Sequence, residues 1–299
     1  MPTVEAGAAG RHAIQFDLQA GHAPVRSTNE TGKTCMIRTH MIAAATTALL
    51  LVAGPSLAET LTAGANIGNV PWEFQDENSE IVGFEVDLLK EVADRLGYDE
   101  VDIQNVPFNG LFSAVQSGRI DVAISSITIT DERLQSVSFA QPYYDSDQSL
   151  STRADSGIAG SGDLKGKTVG VDTGSTGDIY STERESEWGL AGISRYEGLS
   201  PAMLDLAAGR IDAYLSDIPA VAYYLKDKPE MKVVERLATG EQYSMMFAKD
   251  SELAGKANEV LTTLKDEGYI ADLHEKWFGM QPEATTSTVE VREMPKPKS

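Results

Sequence analysis

Short apolar runs alternate with amphipathic segments along most of the chain. The run LTAGAN (61–66) predicts a β-strand. The next periodic segment, VDLLKEVADRLG (86–97), predicts a helix, because its leucines and valines recur at helical spacing and a glycine ends it. Strand and helix patterns keep alternating as far as EGYIADLHEKWFG (267–279). This alternation predicts an α/β fold with mainly parallel sheets.

One local pattern occurs twice. The stretch GLFSAVQSGRIDVAISS (110–126) and the stretch AMLDLAAGRIDAYLSD (202–217) both run from a helix through GRID into a strand. The repetition predicts two similarly built lobes. Chance similarity stays open as the alternative, because glycine caps are common and only GRID matches outright.

The N-terminal part has the features of an export signal. Residues 36–58 contain Arg38, then an apolar run and the sequence PSLAE, which predicts a secretory signal peptide cleaved before Glu59. The apolar run is too short for a permanent membrane helix. We interpret residues 1–35 as an upstream extension from a misassigned start codon, with a long genuine leader as the alternative.

The charge balance excludes several function classes. The chain has 45 acidic and 25 basic residues and a net charge of −20, which repels nucleic acids and anionic membranes. Its single cysteine, Cys35, precedes the predicted cleavage site and does not follow the apolar run that lipidation requires, so we expect no disulfide and no lipid anchor. His274 is the only histidine after residue 58, and we expect it on a solvated helix face. A histidine-based metal site or catalytic triad is therefore not expected, and no cofactor is indicated.

Polar side chains follow the predicted strands, where open α/β sheets bind ligands. Arg133 carries a planar guanidinium suited to a carboxylate, and Asp217, at the matching place in the second repeat, is suited to an ammonium group. Together they predict a site for an α-amino acid. The candidate ligand-binding residues are Asn66, Asn69, Phe108, Ser125, Ser126, Thr128, Arg133, Asp172, Ser175, Thr176 and Asp217.

Six ordered stretches carry a family resemblance: GFEVDLLKEVADRLG, PFNGLFSAVQSGRIDVAISSITITDER, FAQPYY, DLKGKTVGVDTGST, GRIDAYLSD and EGYIADLHEKWFG. With them, the chain from about Leu61 to Gly279 resembles the bacterial extracellular solute-binding proteins of family 3, which serve polar amino acid ABC importers.

The resemblance implies a type II periplasmic binding protein fold. This fold has two lobes, each with a parallel or mixed sheet and helices on both faces, joined by a two-strand hinge near residues 143–148 and 241–245. The first lobe is expected to comprise residues 59–144 and 243–280, and the second residues 145–242. Residues 281–299 are expected to form a flexible tail, since they are polar and contain proline.

The resemblance also implies individual roles. Arg133, with Thr128 and Ser126, is expected to bind the ligand carboxylate, which Ser175 and Thr176 close over from the second lobe. Asp217 is expected to bind the ammonium group with Ser126.

Phe108 is expected to cover the apolar part of the ligand, with Asn66, Asn69 and Asp172 facing its side chain. Trp72 and Glu73 are expected behind the site.

This chain departs from the family pattern at the side-chain subsite. Many members have an aspartate where Asn66 stands and an aromatic residue where Asn69 stands, whereas Asp172 adds a carboxylate. With no basic residue among these three, an acidic ligand would be poorly tolerated. The ligand is therefore predicted to be a basic or amide L-amino acid.

The predicted function is capture of this amino acid by hinge closure and its delivery to the permease subunits of a membrane transporter. The protein is expected to be a monomer and not an enzyme. Two alternatives share the fold: an enzyme resembling cyclohexadienyl dehydratases, with Asp172 as general acid, and a protein that delivers its ligand to a signalling receptor.

Overall fold

The computed structural model describes residues 59–298, so the predictions for residues 1–35 and 36–58 lie outside the described part. The strands are β1 (Thr60–Ala65), β2 (Phe74–Gln75), β3 (Ile81–Val82), β4 (Glu100–Asn105), β5 (Val122–Ala123), β6 (Val137–Phe139), β7 (Tyr144–Arg153), β8 (Thr168–Asp172), β9 (Gly192–Tyr196), β10 (Ala213–Asp217), β11 (Met231–Tyr243) and β12 (Met246–Ala248). The helices are α1 (Phe84–Leu96), α2 (Phe108–Gln116), α3 (Arg133–Ser136), α4 (Thr176–Trp188), α5 (Leu199–Ala207), α6 (Ile218–Leu225), α7 (Glu252–Asp266) and α8 (Tyr269–Phe278).

Two five-stranded mixed sheets form the two lobes. The first has the order β4-β1-β5-β12-β6, and the second has the order β11-β7-β10-β8-β9. In the first sheet β1 runs parallel to β4 and β5, while β12 is antiparallel to its neighbours. The predicted α/β class and the two-lobed architecture are confirmed.

The repeated GRID motif has a structural explanation. Each copy leads into the central strand of its sheet, β5 in the first lobe and β10 in the second. The glycines that open the two copies, Gly118 and Gly209, have φ angles of 70° and 71°. Only glycine adopts this left-handed conformation without steric cost, so the same turn is available after helices α2 and α5.

The lobes are joined by two long strands. The chain leaves the first sheet after β6, enters the second as β7, and returns from β11 to β12. Strands β7 and β11 pair antiparallel, with Tyr144 opposite Tyr243 and Asp145 opposite Gln242. Two paired crossings allow bending while they restrict sliding and twisting.

Aromatic packing supports the hinge from the first lobe. Trp72 is fully buried, and the rings of Tyr144 and Tyr243 meet it edge-on at centroid distances of 4.7 and 5.5 Å. Both tyrosines lie on hinge strands, so the first-lobe core extends directly into the hinge. Edge-to-face contacts of this kind add about 0.5–1.5 kcal/mol each beyond area burial.

His274 differs from the expectation of a solvated face. The side chain is buried, its ring stacks on Tyr144 at 5.6 Å, and Nδ1 lies 2.8 Å from the carbonyl oxygen of Met280. Burial lowers the pKa of His274. The flanking charges Glu275 and Lys276 suggested exposure, but they lie on the opposite side of the same turn and leave His274 facing the core.

The C-terminal segment also differs from the expected flexible tail. Ser287 is fully buried; its backbone N–H donates to Asp145 (2.7 Å) and its hydroxyl accepts from the side-chain amide of Gln242 (2.8 Å). Further along, the carbonyl of Glu290 accepts from Lys265 Nζ at 3.0 Å. Polar residues that suggested mobility instead supply hydrogen bonds to the hinge.

Within residues 59–298, no helix is both long and apolar enough to cross a membrane. The same range contains no cluster of histidine, cysteine or acidic side chains arranged to hold a metal ion.

Candidate ligand-binding site

A cavity of about 90 Å³ lies between the two lobes, at the carboxyl ends of the central strands. Ten of the eleven predicted site residues line it, and Arg133 does not. The lining comprises Asn66, Ile67, Gly68, Asn69, Phe108, Ser125, Ser126, Thr128, Asp172, Ser175, Thr176, Glu197, Gly198, Leu199, Ser200, Pro201, Ser216, Asp217 and Ala220.

The first-lobe wall is built from two loops that hydrogen-bond to each other. The backbone N–H of Asn66, just after β1, donates to Ser125 Oγ at 3.1 Å. The side-chain amide of Asn69 donates to Ser126 Oγ at 3.0 Å. Ser126, in the loop after β5, has a φ of 43°. This left-handed conformation is energetically unfavourable for a residue other than glycine.

Arg133 lies directly behind this wall. Its backbone N–H donates to Thr130 Oγ1 (3.1 Å), which fixes the start of α3. Its guanidinium donates through Nη1 to the carbonyl of Thr128 (2.7 Å) and through Nη2 to the carbonyl of Gly174 (3.2 Å) in the other lobe. The ring of Phe108 covers the guanidinium at 5.5 Å. Burial lowers the pKa of Arg133 to about 10, so the group keeps its charge at neutral pH.

The second-lobe wall is the turn between β8 and α4. Ser175 caps the helix, because its hydroxyl accepts the backbone N–H of Asp178 at 3.1 Å. Thr176 begins the helix, and its hydroxyl donates to Glu241 Oε2 at 3.1 Å. Gly174 has a φ of 76°, which suits glycine in this turn. The helix N-terminus gives this side of the cavity a positive partial charge.

Asp172, at the end of β8, has one partnered oxygen and one free oxygen. Tyr214 donates to Oδ2 at 2.9 Å, whereas buried Oδ1 has no hydrogen-bond partner among the described residues. Burial, opposed by the Tyr214 hydrogen bond and assisted by the charge of Glu197, raises the pKa of Asp172 to about 7. This carboxyl therefore changes its charge near neutral pH and has capacity for one more donor.

Asp217, at the end of β10, faces a second carboxylate. Burial and the charge of Glu241 raise the pKa of Asp217 well above its usual value. The side-chain amide of Gln148 donates to both acids, to Asp217 Oδ1 and to Glu241 Oε1 (2.9 Å). Asp217 starts α6 without a side-chain capping bond, so its carboxylate is available to a ligand.

The sequence profile of the bacterial extracellular solute-binding proteins, family 3, matches residues 61–280. The chain belongs to this family. The match covers both lobes and the hinge, and it ends where the C-terminal segment begins.

Relatives of known name agree with this assignment. The arginine-binding extracellular protein ArtP of Bacillus subtilis is 35% identical over 73% of this chain and 86% of its own. Among solved structures, a mutant of ArgBP from T. maritima is 38% identical, with a TM-score of 0.70 over 74% of this chain and 96% of that one. The arginine-, lysine-, histidine-binding protein ArtJ from Geobacillus stearothermophilus is 34% identical, with a TM-score of 0.70 over 76% of this chain and 98% of that one.

Several polar residues at the site of this solute-binding protein were not predicted from the sequence, among them Gln148, Glu197 and Glu241. Gln148 and Glu241 lie on the two hinge strands, and Glu197 lies on the cavity wall after β9. Glu241 accepts from Thr128 Oγ1 (2.8 Å) in the first lobe as well as from Thr176 in the second. The burial and the contacts of Glu241 depend on the pairing of β7 with β11, so no local sequence signal identifies this residue.

Proposed function

We propose that this family member binds a basic L-amino acid, with L-arginine as the reference ligand, and delivers it to the permease of an ABC importer. Membership of the family and likeness to proteins named for arginine support the transport role. The observation that carries the choice of ligand is the charge of the cavity. Its described lining contains the acids Asp172, Glu197 and Asp217 and no basic residue.

Each end of the ligand has a chemically matched group. Arg133 uses two of its five N–H donors on backbone carbonyls, which leaves donors for the ligand carboxylate beside Thr128 and Ser126. Asp217 is the acceptor for the α-ammonium group. Ser175 and Thr176 close over the carboxylate at the N-terminus of α4.

We assign Asp172 as the residue that binds the cationic side chain of the ligand. Its unpartnered Oδ1 offers an acceptor to a guanidinium or ammonium group, and Glu197 adds negative charge on the same side. Asn66 and Asn69 supply neutral hydrogen-bonding groups, and Phe108 covers the apolar stem. A glutamate ligand would place its carboxylate against Asp172, which is unfavourable.

Binding and closure are coupled through the hinge. A ligand that contacts Arg133 on one lobe and Asp217 on the other stabilises the closed arrangement by its differential contacts. We propose that the closed form is recognised by the permease and that the binding protein acts as a monomer. Export through the signal peptide at residues 36–58 would place it outside the cytoplasmic membrane.

A catalytic role is the second candidate, because Asp172 has one property of a general acid. A carboxyl with a pKa of about 7 is poised for proton transfer at neutral pH. To test the catalytic role, the mature protein is incubated with prephenate or arogenate and the ultraviolet absorbance is measured. We expect no new chromophore. The appearance of one would establish that the protein is an enzyme.

Thermal unfolding with a panel of ligands tests the binding proposal. A ligand at one hundred times its dissociation constant stabilises the folded state by about 2.7 kcal/mol, which a thermal shift detects. We expect L-arginine and L-lysine to raise the melting temperature more than L-glutamine, and L-glutamate to have no effect. A response to L-glutamate equal to that of L-arginine would refute the assignment of Asp172.

A further inference from the structure

Two glutamates are buried behind the first-lobe wall of the cavity. Glu73 precedes β2 and Glu85 lies in the first turn of α1, and each is fully buried. Neither lines the cavity. Two acids at one buried place require an explanation, since an isolated buried carboxylate is strongly unfavourable.

Every donor around the pair comes from a wall residue or from the hinge. Glu73 Oε1 accepts from Ser125 Oγ (2.6 Å) and from the side-chain amide of Asn69 (3.2 Å). Glu85 accepts the backbone N–H of Ser126, at 2.8 Å to Oε1 and 3.0 Å to Oε2, and the hydroxyl of Tyr143.

One carboxyl oxygen in the pair receives no donor. Glu73 Oε2 is buried and has no hydrogen-bond partner among the described residues. Glu85 lies beside Glu73, because its backbone N–H donates to the carbonyl of Trp72 at 3.1 Å and its carboxyl accepts from Ser126, next to the Ser125 that donates to Glu73. Two carboxylates cannot form a hydrogen bond without a proton between them. A proton on Glu73 Oε2, donated to Glu85, satisfies the orphaned atom and removes the repulsion.

We propose that Glu73 and Glu85 are positioning residues that share one proton and thereby hold Asn69, Ser125 and Ser126 in their ligand-binding arrangement. The strongest structural link is Ser126, whose unfavourable φ of 43° is held by the hydrogen bond from its N–H to Glu85. Loss of the shared proton would set two negative charges against each other and push this loop out of position.

Alkaline pH should therefore disrupt the wall. Burial, followed by the charge of Glu85, raises the pKa of Glu73 well above its usual value, which favours its protonated form. Tyr143 is the other titratable group in contact with the pair, and burial raises its pKa so that it stays neutral. Asn69, Ser125 and Ser126, which complete the surroundings, do not titrate in this range.

The shared proton is tested first without ligand. Infrared spectra of the unliganded protein from about pH 6 to about pH 10 should contain a carboxylic acid carbonyl band that disappears at alkaline pH. The difference between wild type and Glu73→Gln isolates this band from those of Asp172 and Asp217. Absence of any difference would overturn the proposal, whether or not the variant folds as well as wild type.

The positioning role is also tested without ligand, through the amide nitrogen and proton shifts of Ser126. In wild type these shifts should move at alkaline pH together with the infrared band. Glu73→Gln should remove the movement, because its amide nitrogen donates to Glu85 permanently while its oxygen still accepts from Ser125 and Asn69. In wild type, the infrared band could disappear at alkaline pH while the Ser126 shifts stay unchanged. The shared proton would then have no positioning role, and the proposal would be refuted.

The effect on binding rests on the proposed function and uses L-arginine as the probe. We expect Glu73→Leu to weaken binding by about tenfold, because it leaves two buried donors without acceptors, and Glu73→Gln to restore most of that loss. The ratio of wild-type to Glu73→Gln affinity should fall at alkaline pH, and this ratio cancels the titration of the ligand. Failure of L-arginine to bind wild type would refute the proposed function alone, whereas a constant ratio would refute the role of the shared proton.

Discussion

The guanidinium of Arg133 in the first lobe donates to the carbonyl oxygen of Gly174 in the second lobe at 3.2 Å. This bond connects the predicted carboxylate-binding residue directly to the turn that caps α4. Arg133 thus has two roles in the proposed cycle: it provides charge for the ligand and it contacts the opposite lobe.

Arg133→Lys is expected to weaken L-arginine binding by about a hundredfold, although the charge is retained. A lysine ammonium cannot reproduce the planar fork that contacts Thr128, Gly174 and a ligand carboxylate together. Isothermal titration calorimetry measures the change. Arg210→Ala, which removes an exposed arginine paired with Asp205, serves as the control and should bind normally. Equal affinity of Arg133→Lys and wild type would contradict a bidentate role.

Asp172 predicts a pH dependence of binding. Its pKa of about 7 means that the carboxyl is protonated below neutral pH and cannot form an ion pair with a cationic side chain. The affinity of wild type for L-arginine should therefore fall by up to about tenfold per pH unit below neutrality. In Asp172→Asn this contribution should be absent at every pH.

The ratio of wild-type to Asp172→Asn affinity isolates this effect from Asp217, which both proteins retain. Asp155→Asn, at an exposed aspartate, is the matched control. A ratio that does not change between about pH 5 and about pH 8 would rule out ionisation of Asp172 as the cause.

The carboxyl of Asp172 also determines the direction in which the free energy of unfolding changes with pH. The native state holds the proton up to about pH 7, whereas the unfolded chain releases it near the ordinary value of 3.8. Between these values the native state binds more protons, so its free energy of unfolding should decrease as pH rises. Urea unfolding of the unliganded protein should show a shallower decrease for Asp172→Asn than for wild type.

Glu241 is expected to control the opening of the unliganded protein. Its carboxylate accepts from Thr128 in one lobe and Thr176 in the other, so Glu241→Ala removes a connection between the lobes. Small-angle X-ray scattering should show a larger radius of gyration for this variant without ligand. Glu235→Ala, on the same strand but bonded to Ser161 within the second lobe, should scatter like wild type. Identical curves for Glu241→Ala and wild type would show that the connection does not restrain opening.

The sequence was sufficient to locate most of the cavity wall, because residues that follow parallel strands converge at one edge of a sheet. Asp172 and Asp217 could be found in this way. Glu241 and Gln148 could not, since their roles depend on the pairing of β7 with β11 across more than ninety residues of sequence. Non-local pairing leaves no periodic signal near either residue.

Composition was misleading for the C-terminal segment for a related reason. Residues 281–298 lack an apolar face, which suggested mobility, but Ser287 in this segment forms hydrogen bonds with hinge residues. Ser287 donates to Asp145 Oδ1 at 2.6 Å and accepts from Gln242, two residues that face each other on β7 and β11. The partners of a polar segment cannot be inferred from its own composition.

Removal of this segment should therefore destabilise the protein. Ser287→Ala removes two hydrogen bonds, one from its hydroxyl to Asp145 and one to its hydroxyl from Gln242, and each contributes about 0.5–1.5 kcal/mol. Truncation after Met280 should lower the free energy of unfolding further, because it also removes the hydrogen bond from Lys265 to the carbonyl of Glu290. Urea unfolding measures both changes, and truncation after Met294, which retains Ser287 and Glu290, is the control. Equal stability of the protein truncated after Met280 and the full chain would mean that these contacts do not support the hinge in solution.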